Sequence, residues 1–170
     1  MSIGTESVVK QIVLSPSAFD PNEIVQIVGA IGKSYSNYRE LREAAAELEN
    51  QPNRSPATTA RLGVCLYLLG RYSDSIEMLA HSDGGALTHF YLGKAYLALD
   101  KYAEALTAYE SAEKAGYSRD QVALAKAEAL RYNNRSQEAV EVLNRLSGAV
   151  EQTAEYLYQR AATVSALGGN

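Results

Sequence analysis

The chain is poor in several of the features that usually advertise a function. Of its 170 residues none is Trp, two are Phe, one is Cys and four are Pro. A single Cys65 forms no internal disulfide, and its neighbours Val64 and Leu66 place it on the buried face of a helix, as in a reducing compartment. No stretch reaches the 18 or so consecutive apolar residues of a membrane span, and Met1 to Lys10 lacks a basic region followed by a long apolar core. A soluble, cytoplasmic protein is expected. The formal charge of −4 is spread over both signs without a basic stripe that would neutralise phosphates, so nucleic acid is not an expected partner.

Chemistry-bearing residues are equally sparse. His81 and His89 are the only histidines; they lack the i, i+4 spacing of a helical metal pair and any HExxH context, so no metal site is expected. Ser82-Asp-Gly-Gly85 lacks both the preceding strand and the terminal Gly-Lys-Ser/Thr of a phosphate-cradling loop, and reads as a turn. Neither a cofactor nor catalysis is indicated. The carboxylates of Glu47 and Glu49 read as a solvated helical face, with Arg39, Arg42 and Glu43 spaced for intrahelical pairs.

What is present is folding material with an internal period. Apolar residues make up 46% and charged residues 21%, far from the composition of a disordered chain. Twelve Tyr carry most of the aromatic content, and their hydroxyls require water or a partner, which places some of them at a rim or groove. Leu69-Gly-Arg-Tyr-Ser-Asp-Ser75 aligns with Leu99-Asp-Lys-Tyr-Ala-Glu-Ala105, and each follows a Leu-Gly pair, Leu62-Gly63 or Leu92-Gly93. In Ala86 to Arg119, Leu92, Gly93 and Tyr96 mark a first helix, and Ala105, Tyr109 and Ala112 a second. Small residues there let two helices approach while larger ones fill the groove. A forward step of about 34 residues superposes Ala139 on Ala105 and Leu143 on Tyr109, with a turn at Asn133-Asn134.

The spacing L-G-x2-Y followed by A-x3-F-x2-A resembles the tetratricopeptide repeat (TPR), with His89 where that family usually has Trp. The resemblance implies an all-α fold, a right-handed superhelical solenoid of helix-turn-helix TPR-type repeats. Its units are a degenerate copy at 22–55, a short one at 56–85, full ones at 86–119 and 120–153, and a half repeat at 154–170, after an N-terminal arm at 1–21. The arm's run Ser7 to Leu14 is apolar and β-branched, and is expected to be ordered only where it docks.

In such a solenoid the stacked first helices line a concave groove. The positions that the resemblance assigns to that groove are Arg61, Val64 and Tyr67; Phe90, Tyr91, Lys94 and Leu97; Glu128, Arg131 and Tyr132; and Tyr158. Tyr72, Tyr96, Tyr102 and Tyr109 read instead as packing between helices. The groove set suits a peptide or helix of a protein partner that inserts apolar side chains and makes few polar contacts. The clamp of Lys, Asn and Arg by which some members hold the acidic C-termini of heat-shock chaperones is missing: its sites in the short unit are Ala60 and Val64, and Gln121 and Ala125 stand where it needs basic groups. A structural self-assembly or chaperone-like role is the alternative, with homo-oligomer contacts through the arm or through the apolar face of the unfinished last repeat.

Overall fold

The computed structural model describes residues 7–168, and among these every regular element is helical. The order is α1 (Val8–Val13), α2 (Pro21–Ile31), α3 (Tyr35–Glu49), α4 (Pro56–Leu68), α5 (Tyr72–Ala80), α6 (Ala86–Ala98), α7 (Tyr102–Lys114), α8 (Arg119–Tyr132), α9 (Ser136–Asn144), a 3₁₀ turn (Gly148–Gln152) and α10 (Ala154–Gly168). Among the described residues no helix is long and apolar enough to cross a membrane. The chain divides into two compact units, Met1–Thr88 and His89–Asn170.

Helix starts follow from local chemistry. Ser34, Ser55 and Ser118 accept from backbone N–H groups in the first turns of α3, α4 and α8, with Pro56 fitting the first position of α4. Asp20 and Glu23 form a reciprocal capping box at α2. The Ser82 to Gly85 turn supplies its own acceptor: Asp83 Oδ1 takes the Gly85 N–H at 2.9 Å and the Thr88 hydroxyl at 2.7 Å.

One turn recurs between paired helices. The carbonyls of Leu66, Tyr96 and Leu130 accept from the N–H of Arg71, Lys101 and Arg135 at 2.9, 2.9 and 2.8 Å. The residue before each donor, Gly70, Asp100 or Asn134, takes a positive φ of 77°, 57° or 56°. This is the left-handed cap that satisfies the last free carbonyls of a helix and turns the chain back. Just after it, Ser75, Ala105 and Ala139 are fully buried, and four residues further so are Leu79, Tyr109 and Leu143.

In the first unit, α4 packs on α5, α3 on α2 and α4, and α1 on α2, α3 and α4. A Cβ at Gly63 would lie 2.6 Å from the Leu79 side chain, so α4 and α5 touch where only glycine fits. The Ser75 hydroxyl donates to the Gly63 carbonyl at 2.7 Å across the same contact. Gly29, aligned with Gly63 in the degenerate copy, has nothing within 4 Å. The core is built from Val9, Val13, Ile27, Leu41, Leu48, Leu62, Leu66 and Leu79. Of the arm expected at 1–21, residues 1–6 lie outside the described residues; Val8–Val13 forms a short helix capped by Ser7, because Val9 and Val13 fall four apart and are both buried.

In the second unit α8 packs on α7 and α9, and α10 on both α8 and α9. A Cβ at Gly93 would lie 2.4 Å from the Tyr109 ring, which repeats the Gly63 contact. Leu124, Ala127, Leu130, Ala139, Leu143, Val150 and Tyr156 form one apolar cluster joining α8, α9, the 3₁₀ turn and α10. Tyr109 is fully buried, whereas Tyr96 and Tyr102 are half-buried; in the first unit Tyr72 is half-buried too.

Candidate functional site

The groove candidates fall in both units. In the first, Arg61 and Val64 on α4 are each 0% exposed. The Arg61 guanidinium donates to the carbonyls of Ile12, Ser17 and Ala18, pairs with Glu23 at 3.4 Å and lies 4.2 Å from the Phe19 ring centre. The first-unit face that the resemblance assigns to a ligand is thus filled, at Arg61, by the chain's own N-terminal segment. Burial holds the Arg61 pKa below its ordinary value, partly opposed by the Glu23 carboxylate. Cys65, one turn on, is pushed up to about 12 by burial, with Arg61 pulling the other way, so it is an inert thiol. Tyr67 is half-buried, its ring 5.6 Å from that of Tyr72.

In the second unit Phe90 and Tyr91 on α6 are 5% and 9% exposed. Phe90 stacks on Tyr117 at 4.2 Å and 14°, and also meets Tyr109 at 5.7 Å. Its ring therefore serves packing and leaves a ligand little surface. Burial raises the Tyr117 pKa in the same stack. Lys94 lies 5.7 Å from the Phe90 ring centre, and it and Leu97 are half-buried.

The candidates that α8 and α10 bring together are more accessible. Arg131 is half-buried; its guanidinium lies 4.5 Å from the Tyr132 ring centre and donates to the Gln159 amide oxygen at 3.4 Å. Its Nε is buried and has no hydrogen-bond partner. Tyr132 and Tyr158 are 47% and 60% exposed, and Glu128, one turn before Tyr132, is half-buried. Gln159 is buried beside Thr163, whose hydroxyl donates to the Gln159 carbonyl at 2.7 Å. The Arg131 guanidinium and the Tyr132 ring thus lie together on α8, and Gln159 ties that guanidinium to α10.

Sequence reasoning missed two concavities of this unit. They share Lys126, Val142 and Arg145, measure about 330 and about 400 Å³, and have a floor that includes Leu106, Leu130 and Leu146. Their rims are neutralised internally by Arg119 with Glu113, Lys126 with Glu110 and Arg135 with Glu138. Opposite charges spaced along α7 to α9 are the sequence signal that could have located them. Among the described residues no group of three His, Cys, Asp or Glu side chains is placed to hold a metal, and the His81 Nδ1 meets the Glu77 carbonyl at 2.8 Å.

What these observations define is a class: an all-helical protein whose helices pack in neighbouring pairs joined by a recurrent turn. No family model, curated protein or solved structure matches the chain.

Proposed function

We propose that the chain is a right-handed superhelical solenoid of TPR-type repeats that works as a protein-interaction module, holding a peptide or helix of a partner by binding alone. The fold part of this reading is supported by the recurrent turns at Gly70, Asp100 and Asn134 and by the glycine contacts at Gly63 and Gly93. Packing of α10 on α8, its next-but-one neighbour, is also what stacked hairpins produce.

The functional part is carried by the α8 and α10 face. A half-buried arginine stacked on an accessible tyrosine is the composition of a binding hot spot. The half-buried Arg131 guanidinium against the accessible Tyr132 ring favours a ligand that brings a carbonyl or carboxylate to that pair. Selection from a displayed peptide library on the unaltered chain tests this. Enriched peptides are expected to lose tenfold or more in affinity on Tyr132→Ala or Arg131→Gln, with the helical signal and melting midpoint unchanged. Peptides that bind both variants as well as the parent would place the site elsewhere.

A second reading, structural self-assembly, is favoured by Leu157, Val164 and Leu167 on α10, which are 57%, 54% and 37% exposed. Light scattering over a concentration series separates the two, since self-assembly requires the mass to rise with concentration.

A further inference from the structure

Arg61 carries an interaction that the α8 and α10 face does not explain. A guanidinium with no exposed surface keeps its charge only where acceptors replace its water shell. Those acceptors are the Ile12 carbonyl, the Ser17 carbonyl at 2.7 Å, the Ala18 carbonyl at 3.1 Å, the Ser17 hydroxyl at 3.3 Å and the Glu23 carboxylate at 3.4 Å. All but Glu23 belong to one stretch, Ile12 to Phe19, whose aromatic ring also covers the cation. Recognition is of main-chain carbonyls in a turn plus one aromatic face, which is how a protein holds a peptide segment.

The segment is built as a separable piece. Val9, Val13 and Phe19 anchor it, while Pro16, Ser17 and Ala18 lie exposed. The start of α2 is complete without it: Asp20 Oδ1 accepts the Asn22 N–H at 2.6 Å, and Glu23 accepts the Asp20 N–H at 3.0 Å. Glu23 therefore stays beside Arg61 when the segment leaves, so the cation is never stripped of every partner. The buried Arg61 Nε has no acceptor even with the segment in place, so the occupant does not exhaust the donors of the site.

We infer that the Arg61 cradle of the first unit is a peptide-docking site, filled in cis by Ser7 to Phe19 and open to the same segment from a second copy of the chain. Exchange between copies preserves every contact while joining two molecules, which is the usual low-cost route to a swapped dimer. The inference stands apart from the α8 and α10 reading and from the fate of that site.

The test uses the full-length chain and a labelled, end-blocked synthetic peptide of residues 7–20. Val13→Asp puts a carboxylate at a fully buried position and loosens the cis segment. The peptide is expected to bind this variant saturably and at least tenfold more tightly than the unaltered chain, whose tethered segment competes at high effective concentration. Adding Arg61→Ala to the variant is expected to abolish that binding. A Val13→Asp chain that still melts cooperatively but does not take up the peptide overturns the inference. Should that variant fail to melt cooperatively, hydrogen exchange on the unaltered chain decides. Protection of amides 10–14 at least tenfold below that of 41–48 supports a separable segment, and equal protection overturns it.

Discussion

Gly93 and Ser75 show how single side chains fix the helix pairs. A methyl group at Gly93 would overlap the Tyr109 ring, so Gly93→Ala is expected to cost about 1–3 kcal/mol. The loss should shrink in a Tyr109→Ala background, and a double-mutant cycle by urea denaturation checks that coupling. Ser75→Ala removes one hydroxyl bond to the Gly63 carbonyl. Its cost is about 1 kcal/mol. Ala105 and Ala139 fill the same position without a hydroxyl, so the fold itself should survive the change. Cys65 gives a pH signature. The fold holds its thiol neutral up to about 12, against an ordinary value of 9.0, so its contribution is complete below pH 9 and is lost as pH rises from there toward 12. Cys65→Ala should flatten that part of the stability profile, and iodoacetamide at pH 8 should modify the parent only as fast as the chain opens. The small residues and the cysteine were legible from the sequence because their spacing is a property of the helix surface. Arg61 was legible only as a position on α4. A lone charge within Ala60 to Leu66 signals a buried partner, but that partner lies some 40 to 50 residues away, beyond any periodic pattern.

Turns decide where each helix ends. Gly70 has φ of 77° and open space around it, so Gly70→Ala should cost about 1–2 kcal/mol through the backbone alone. Asn134 sits in the same conformation with a side chain, and Asn134→Gly should be neutral or stabilising by up to about 1 kcal/mol. Thermal melts of the two variants moving in the same direction would contradict a shared turn geometry. Helices α4 to α9 and their turns were visible in the sequence because small residues, aromatics and left-handed caps recur there in register. The helix at Val8–Val13 was not, since its β-branched residues have little helical preference and owe their conformation to docking. The 3₁₀ turn at Gly148–Gln152 was equally hidden; it is held by Val150 packing into the α8 to α10 cluster and by the Thr153 hydroxyl donating to the Val150 carbonyl at 2.7 Å. Of the candidate site, the pattern located α8 and α10, but it could not separate Phe90, consumed by stacking on Tyr117, from Tyr132, which stays accessible.

Across the whole molecule, the apolar surface left in view is a matter of solubility more than of folding. Leu157→Lys with Val164→Lys places charges on an exposed face of α10 and should leave the melting midpoint within a few degrees. If self-assembly uses that face, the same pair of changes should hold the light-scattering mass constant across concentrations. Long-range polar contacts tie Arg61 to Ile12, Ser17 and Ala18, and they impose an order on biosynthesis. The segment leaves the ribosome well before its anchor. At roughly 5–20 residues per second, the stretch of about 50 residues separating Ile12 from Arg61 takes some 2 to 10 seconds to make. During that interval the Ile12, Ser17 and Ala18 carbonyls and the Phe19 ring lack the cation that holds them, which makes the nascent chain, more than the finished one, the form in which this segment is open to a chaperone or to a neighbouring chain on the same message.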